Sequence, residues 1–334
     1  MKALMSVGVG GPETLQLVET AMPEPGAGEL RVRIIACSIN YPDALILEDK
    51  YQLKPERPFA PGGEVAGVVD ALGPGVEGWA PGDRLIAITF YGGLAEYAVV
   101  PVANAFRLPA DMPFAEGAAL LITYGTTIHA LVDRGEVQPG ETLLVLGAAG
   151  GTGVAAIEIG KALGAKVVAA VSSEEKAEAA RRLGADAAMV YGRGPFDKEA
   201  SKALSASFKA AVGPDGANAI YDPVGGDYAE PALRAIAWEG RYLVIGFPAG
   251  IPRLPLNLAL LKGCDIRGVL WAGLMARDPE RVREHVAQLF HWWSEGKIRP
   301  SIQHRFPLER GGEAIAWLSD RKAIGKIVVE VGAG

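Results

Sequence analysis

The segment 141–153 places a glycine-rich turn between a short apolar run and a helical pattern. Residues 143–146 predict a buried strand, 154–163 a helix that ends before Gly164, and 166–171 a second strand. The N-terminus of a helix presents unpaired N–H groups and the positive end of the helix dipole. The turn therefore predicts a site where a pyrophosphate group binds against the backbone.

This turn departs at one position from the dinucleotide-binding fingerprint Gly-x-Gly-x-x-Gly. Ala148 stands at the first glycine, whereas Gly150 and Gly153 supply the second and the third. The pattern alone is a weak indicator, but its place within one strand–helix–strand unit of about 30 residues favours nucleotide binding. Gly150, Gly151 and Thr152 are the expected phosphate contacts. A tight strand-to-helix turn without a ligand is the alternative.

The residues after the second strand indicate which nucleotide binds. NAD-selective proteins carry an acidic residue there, which binds the ribose 2′-hydroxyl. This chain has Ser172 and Ser173 instead, and Lys176 follows within one helical turn. Small donors and a point charge suit a phosphate, so the pattern predicts NADPH. In the alternative interpretation Ser172 is a helix cap and Lys176 a solvated charge, and the neighbouring Glu174 and Glu175 weaken the cationic field.

Composition limits the class of protein. The 334 residues correspond to about two domains, and the net charge of −6 does not favour nucleic acid or an anionic membrane as a partner. No apolar run approaches the length of a membrane span, and the N-terminus does not resemble a signal peptide. Two cysteines, Cys37 and Cys264, cannot form a disulfide framework, so we expect a reducing, cytoplasmic location.

Hydrophobic patterning divides the chain into two kinds of structure. The first 120 residues read as short strands separated by glycine and proline turns, which predicts a small barrel or sandwich. From residue 141 onward strands alternate with helices, which predicts a parallel, doubly wound sheet. Its further strands are expected at 187–190, 217–222, 240–246 and 266–270, with a helix at 228–237 and a closing strand at 326–330.

Several short motifs occur in a characteristic order along the chain. They are Ile39-Asn40-Tyr41-Pro42-Asp43, Lys50-Tyr51, residues 58–67, Gly82-Asp83-Arg84, residues 93–97, residues 123–127, residues 147–153, residues 222–226 and Gly325-Lys326. In these motifs the chain resembles the zinc-free NADPH:quinone oxidoreductases, the zeta-crystallin-like family of the medium-chain dehydrogenase/reductase superfamily. The resemblance covers nearly the whole chain.

The resemblance implies a fold in which a Rossmann doubly wound parallel sheet accompanies a GroES-like β-rich domain. The implied boundaries are 1–122 for the GroES-like domain and 123–262 for the Rossmann domain that binds NADPH. Residues 263–334 would supply the last Rossmann strand and a C-terminal segment that returns to the first domain.

The resemblance also argues against a catalytic metal. Zinc-dependent relatives carry a cysteine where this chain has Asn40, a histidine where it has Gly63 and a further cysteine near Thr123. Only Glu64 remains of that set. Because a catalytic zinc needs about three ligands and an open position, we expect no metal.

Further cofactor contacts follow from the resemblance, position by position. Thr127 would lie near the nicotinamide amide and Tyr191 near the adenosine. Gly246 and Phe247 follow the fifth strand, on the side of such a sheet where ligands bind. The residues expected to border the nicotinamide from the C-terminal side are Val269, Leu270 and Trp271. For Tyr191 and Trp271, ordinary packing of an aromatic ring is the alternative.

The implied reaction is hydride transfer from C4 of the nicotinamide to a quinone, which accepts hydride without a metal. Asn40 and Tyr51 are the candidate catalytic residues, because an amide and a phenol can hydrogen-bond the cofactor or the acceptor. Asn40 is also a candidate cofactor contact. The alternatives are that Asn40 satisfies backbone groups at its turn and that Tyr51 is a wall of the pocket.

Two other functions stay open at this stage. An NADPH-dependent alkene reductase for enones, acrylates, haloacrylates or enoyl thioesters needs the same hydride and the same metal-free site. A non-catalytic, crystallin-like nucleotide-binding protein is the second alternative. The expected partners are a small-molecule acceptor and further copies of the chain, since an exposed edge at the sixth strand predicts a homodimer or homotetramer.

Overall fold

A computed structural model describes residues 1–320 and 323–332 of the chain. Its strands are β1 (Lys2–Met5), β2 (Gln16–Glu19), β3 (Glu29–Ile39), β4 (Glu64–Leu72), β5 (Arg84–Ile88), β6 (Tyr97–Pro101), β7 (Ala105–Arg107), β8 (Thr142–Leu146), β9 (Lys166–Val171), β10 (Ala187–Val190), β11 (Ala217–Asp222), β12 (Ile236–Val244), β13 (Asp265–Gly268), β14 (Ile302–Pro307) and β15 (Lys326–Glu330).

The helices alternate with the strands in the middle of the chain. They are α1 (Tyr41–Leu47), α2 (Phe114–Ala118), α3 (Thr126–Ile128), α4 (Gly151–Ala162), α5 (Glu174–Arg182), α6 (Lys198–Val212), α7 (Ala229–Leu233), α8 (Asn257–Lys262), α9 (Trp271–Arg277), α10 (Pro279–Ser294) and α11 (Gly311–Ser319). Two π-helical segments, Leu121–Gly125 and His129–Arg134, flank α3. In the described residues no helix combines the length and apolar composition needed to cross a membrane.

The chain divides into two compact units. The first contains Met1–Ile122 together with Pro300–Gly334, and the second contains Thr123–Arg299. The predicted segment 263–334 is thus split between the two units at residue 300.

The first unit is built on a β-sheet of seven strands with the order β14-β15-β3-β4-β5-β7, to which β6 adds by pairing with β3. Alternate residues of β3, among them Leu30, Val32 and Ile34, are buried in its apolar core. The last strand of the chain, β15, pairs antiparallel with β3. The C-terminal segment therefore forms part of this sheet.

The second unit is a six-stranded parallel sheet with the order β10-β9-β8-β11-β12-β13. Numbered by appearance, this is the order 3-2-1-4-5-6 of a dinucleotide-binding Rossmann sheet. The strand order reverses between β8 and β11, and ligands of such sheets bind beyond the carboxyl ends of the strands at that point. The predicted doubly wound parallel sheet and the accompanying β-rich domain are both present.

Two predicted elements have different bounds in the structure. The helix expected at 228–237 is shorter, because β12 begins at Ile236, which pairs with Ala217. The sixth strand, expected at 266–270, ends at Gly268. Leu270 instead precedes α9, and Trp271 is the first residue of that helix.

Candidate active site

The glycine turn lies between β8 and α4, at the carboxyl edge of the parallel sheet. Gly147 adopts a positive φ of 57°, and Gly150 caps α4 in an extended conformation. The Gly150 N–H donates to the carbonyl of Gly147 at 2.9 Å. The Gly150 N–H is therefore already hydrogen-bonded within the turn. The remaining role of Gly150 is to let a phosphate come close to the backbone, because glycine has no side chain in the way. The N–H groups of Gly151 and Thr152, in the first turn of α4, have no intrahelical acceptor and point from a positive helix end.

A buried hydroxyl network connects this turn to the helix that carries Thr127. The Thr127 hydroxyl donates to the Thr123 carbonyl at 2.7 Å, and its oxygen lies 2.8 Å from the Tyr221 hydroxyl. Tyr221 also hydrogen-bonds the side chain of Thr152. Burial raises the pKa of Tyr221, so its phenol keeps its proton. The hydroxyl hydrogen of Thr127 is donated to the Thr123 carbonyl. Thr127 can therefore contact a cofactor through van der Waals packing or as a hydrogen-bond acceptor.

Asp222, at the end of β11, holds the adjacent loop in shape. One of its carboxylate oxygens accepts from the N–H groups of Val224 and Gly225, both at 2.8 Å. Its other oxygen accepts from the buried Tyr242 hydroxyl. Burial raises the pKa of Asp222, and burial together with the Asp222 charge raises that of Tyr242 well above its ordinary value. This carboxyl is thus a structural anchor of the loop at the switch point.

The serine pair and Lys176 lie at the carboxyl end of β9. Ser173, rather than Ser172, caps α5, since its hydroxyl oxygen accepts from the Lys176 backbone N–H at 3.4 Å. Ser172 lies half-buried before the cap. Ser172 and Ser173 stand where the strand ends, and Glu174 and Glu175, which follow them in the chain, are exposed. The arrangement offers hydroxyl and amide donors with one cation to an anionic group.

The remaining predicted cofactor residues have different surroundings. Tyr191 is buried, with its ring 5.0 Å from that of Tyr228, so packing is one of its roles. Phe247 is about half exposed after Gly246, and Leu270 is largely exposed. The contacts predicted for these residues stay predictions.

The surroundings of Trp271 indicate whether the second unit could hold a nicotinamide. Trp271 is buried beside Gly125, and a Cβ added at Gly125 would lie 2.6 Å from the indole ring. Val269, two residues earlier in the chain, is also buried. The indole N–H of Trp271 is buried without a hydrogen-bond partner among the described residues. Buried donors of this kind normally have an acceptor, and the carboxamide oxygen of a nicotinamide is one that fits. The residues of this unit therefore fit a bound dinucleotide.

A separate buried polar cluster lies in the first unit, at the ends of three adjacent strands. The side-chain amide of Asn40 donates to Glu64 Oε1 at 2.8 Å and to the Ser38 carbonyl at 3.3 Å. The ammonium of Lys326 donates to Asn40 Oδ1 at 2.6 Å and to Glu64 Oε1 at 3.1 Å. Glu64 Oε2 accepts from the Ile122 N–H at 2.8 Å. The cluster is thus a buried, charge-balanced group.

This geometry corrects one part of the role that sequence predicts for Asn40. Both hydrogens of its amide nitrogen are used by Glu64 and Ser38, so Asn40 has no spare donor for a substrate oxygen. Its Oδ1 is an acceptor that already faces Lys326 and, in the capping box of α1, the Asp43 N–H. The alternative, in which Asn40 takes part in the hydrogen bonds of its own turn, also holds in part. The Asn40 backbone N–H donates to Asp43 Oδ2 at 2.7 Å.

Asp43 and Tyr51 are two further polar residues of the first unit. The second oxygen of Asp43 accepts from the Gly62 N–H at 3.0 Å. Burial outweighs these two hydrogen bonds and raises the pKa of Asp43 to about 7. Tyr51 is half-buried, and burial and then the charge of Asp43 raise the pKa of its phenol. Tyr51 is therefore a neutral donor at physiological pH.

Comparison with known proteins reveals extensive similarity. The profile of the alcohol dehydrogenase GroES-like domain matches residues 26–110, and that of the zinc-binding dehydrogenases matches residues 151–292. Quinone oxidoreductase-like protein 2 of Bos taurus is 36% identical over 94% of this chain and 89% of its own length. The quinone oxidoreductase of Sus scrofa is 31% identical over 98% and 97%.

The chain belongs to the quinone oxidoreductase family of the medium-chain dehydrogenase/reductase superfamily. Among solved structures, the Escherichia coli quinone oxidoreductase in complex with NADPH is 27% identical, with a TM-score of 0.90 over 99% of this chain and all of that one. The family resemblance drawn from the sequence is confirmed.

One of the matching profiles describes zinc-binding dehydrogenases, so we tested whether this member of the quinone oxidoreductase family could hold the metal. Asn40 and Gly63 stand at two of the expected ligand positions, and both oxygens of Glu64 are engaged by protein donors. Within residues 1–320 and 323–332, no three His, Cys, Asp or Glu side chains are grouped as metal ligands. The residues present do not fit a catalytic zinc ion.

Sequence reasoning missed two members of these networks. Lys326 belongs to the Gly325-Lys326 motif, and a lysine at the start of an apolar strand was a usable signal, since an uncompensated lysine there would be costly. Tyr221 lies in the strand β11, where an aromatic residue is unremarkable, and nothing in the sequence connects it with Thr127. Both residues acquire their roles from contacts between distant parts of the chain.

Proposed function

We propose that this protein is an NADPH-dependent quinone oxidoreductase that works without a metal. The observation that carries the proposal is the combination of an open phosphate turn at α4 with Ser172, Ser173 and Lys176 where an NAD-selective protein has an acid. Relatives named as quinone oxidoreductases support it, and one of them was solved with NADPH.

The second unit would hold the cofactor. Gly151 and Thr152 would bind the pyrophosphate through backbone N–H groups, and Gly150 would let it approach. Ser172, Ser173 and Lys176 would bind the 2′-phosphate. The residues proposed around the nicotinamide and adenosine are Thr127, Tyr191, Gly246, Phe247, Val269, Leu270 and Trp271. When bound, NADPH supplies the hydride.

The first unit would supply the polar groups that act on the acceptor. A quinone that has received a hydride carries a negative charge on oxygen, which a hydrogen-bond donor stabilises. Tyr51 keeps its proton and is the proposed donor. Asn40 is proposed to orient a ligand hydroxyl or amide through Oδ1, its acceptor atom. Asn40 and Tyr51 therefore remain the candidate catalytic residues.

An NADPH-dependent alkene reductase is the second candidate function, because an enolate formed from an enone or acrylate needs the same donor. We would measure NADPH oxidation with ortho-quinones, para-quinones, enones and acryloyl thioesters. Turnover that is fastest with quinones supports the proposal, and turnover confined to alkenes replaces it with the second candidate. Tight NADPH binding without any turnover would leave only the non-catalytic, crystallin-like function.

The choice of NADPH over NADH predicts a selective effect of Lys176. We expect Lys176→Ala to weaken NADPH about tenfold, by the loss of one charge-assisted hydrogen bond worth about 1.5 kcal/mol, and NADH by less than about twofold because NADH lacks the 2′-phosphate. Titration of both nucleotides by fluorescence measures this. Lys198→Ala, which removes an exposed lysine at the start of α6, is the matched control. Equal weakening of both nucleotides would refute the 2′-phosphate role.

The exposed edge of the parallel sheet supports a homodimer or homotetramer. β13 is an edge strand, and large apolar side chains lie exposed on and near it: Trp238, Leu256, Leu260, Leu261 and Ile266. Unpaired parallel edges with apolar surroundings favour pairing between copies. We expect light scattering to give at least twice the 35.0 kDa mass of the chain, and Leu260→Glu to lower it. A wild-type monomer would contradict this.

The cellular location predicted from cysteine content stays a prediction. Cys37 and Cys264 are both buried and free of disulfides, which agrees with a reducing compartment.

A further inference from the structure

A single buried ammonium organises the polar cluster of the first unit. Lys326 is 3% exposed and Glu64 1% exposed, so neither charge is solvated by bulk water. An isolated charge at that depth would be strongly unfavourable. The pair is retained by contacts with Asn40, which bridges both charges.

Strand register brings these residues together and leaves little freedom in their arrangement. Ile327 of β15 pairs with Ile39 of β3, and Ser38 of β3 pairs with Glu64 of β4. Lys326 and Asn40 are each one residue beyond the first of these pairs. The three side chains therefore meet in a row at one end of three hydrogen-bonded strands.

The ammonium contributes to the orientation of the Asn40 amide by binding its oxygen. Lysine can only donate, so the atom 2.6 Å from Nζ must be the amide oxygen. Glu64 can only accept when ionised, so the atom 2.8 Å from Oε1 must be the amide nitrogen. Without Lys326, the amide nitrogen would keep Glu64 and Ser38 as acceptors, but the amide oxygen would lose its lysine donor.

We propose that Lys326 is a positioning residue of the reduction site, whose ammonium supplies a fixed positive charge beside Asn40 and Glu64. It balances Glu64 and holds Asn40 with Oδ1 oriented for its ligand, and one of its three N–H groups is used by no described residue. This inference rests on the proposed function, in which Asn40 orients a ligand. It assigns to Lys326 a role that a merely structural ion pair would not have.

The test separates charge balance from positioning. Lys326→Met leaves Glu64 as a buried, unpaired charge and should lower both the Tm and kcat, kcat by about tenfold or more, since misplaced groups slow reactions strongly. The double variant Glu64→Gln/Lys326→Met removes both charges and should restore most of the Tm. If Lys326 positions Asn40, kcat stays about tenfold low in the double variant while the KM for NADPH changes by less than about threefold.

Lys2→Met, which removes an exposed lysine of the same unit, is the control and should match the wild type. Recovery of kcat together with the Tm in the double variant would overturn the proposal, because the pair would then be structural only.

A second readout does not depend on turnover, so failure of the proposed function is distinguishable from failure of this inference. The Asn40 side-chain amide can be assigned by nuclear magnetic resonance from the signals that disappear in Asn40→Ser. We expect slow hydrogen exchange of this amide in the wild type and at least tenfold faster exchange in the double variant. Equal exchange rates would overturn the proposal even if no acceptor is reduced.

Discussion

Replacement of Gly153 by alanine should abolish tight binding of NADPH. A Cβ built at Gly153 would lie 2.4 Å from the Gly147 carbonyl oxygen and 2.6 Å from the Ala148 Cα. Both are backbone atoms of the strand-to-helix turn, so they cannot rotate away as a side chain could. The variant must push α4 away from the turn that precedes it. We expect a loss of about 3 kcal/mol in the free energy of unfolding, at the upper end of overpacking effects.

The effect on the cofactor follows from the displacement of the helix N-terminus. Gly151 and Thr152 would no longer present their N–H groups to the pyrophosphate. The loss of two charge-assisted hydrogen bonds at about 1.5 kcal/mol each corresponds to an affinity lowered about 100-fold. Titration calorimetry with NADPH measures this, and chemical denaturation measures the stability.

Gly150→Ala is the matched control for stability. A Cβ at Gly150 meets only the Gly147 oxygen, at 3.4 Å, and the backbone there has a negative φ. The free energy of unfolding of Gly150→Ala should therefore stay near that of the wild type. If Gly153→Ala binds NADPH as tightly as the wild type, then the close packing of α4 on the turn is not what holds the phosphate site.

The central strands of the parallel sheet could be predicted from the sequence because most of their residues are buried. Runs such as 166–171 and 217–222 are mostly apolar and are bounded by glycines or by helical patterns, and the observed strands have these bounds. The start of β12 could not be read this way. Ile236 and Ala237 continue a helical pattern locally and enter the sheet only because Ala217 provides a partner. At this position, pairing with the neighbouring strand outweighs the local helical propensity.

The residues of the candidate site also differ in whether they depend on neighbours along the chain or on residues far away in the sequence. The glycine turn and the serine pair are local features of the chain, so spacing along the chain sufficed to predict where they lie in the fold. The role of Lys326 depends on Asn40, 286 residues away in the chain, and that of Tyr221 on Thr127, 94 residues away. Contacts at such separations leave no periodic signal, so these partners could be assigned only from the structure.

Glu158 gives a second large effect, one that depends on pH. It lies on α4, where the neighbouring residues are apolar and buried. Its Oε2 accepts from the Tyr124 hydroxyl at 2.6 Å and from the Arg299 N–H at 3.0 Å. Burial outweighs these bonds and raises the pKa of Glu158 from 4.5 to about 7. The folded protein thus binds a proton at this residue more tightly than the unfolded chain does.

A raised carboxyl pKa fixes the sign of the pH dependence. Below pH 4.5 the group is protonated in both states and causes no loss of stability. As the pH rises through about 7, the folded state must bury a charge, and the difference between the two pKa values corresponds to about 3 kcal/mol of lost stability. Glu158→Gln keeps an oxygen for Tyr124 and Arg299 but never ionises.

We therefore expect Glu158→Gln to match the wild type at about pH 4.5 and to be more stable by about 2 to 3 kcal/mol at about pH 8.5. Urea denaturation across this range measures the difference, in which other titrating groups such as Asp43 cancel because both proteins contain them. Glu158→Ala removes the acceptor of both hydrogen bonds and should be less stable than the wild type at the acid end. A difference between Gln and wild type that stays constant with pH would show that Glu158 is not buried as a charge, and that its hydrogen bonds, rather than its ionisation, decide what it contributes to the fold.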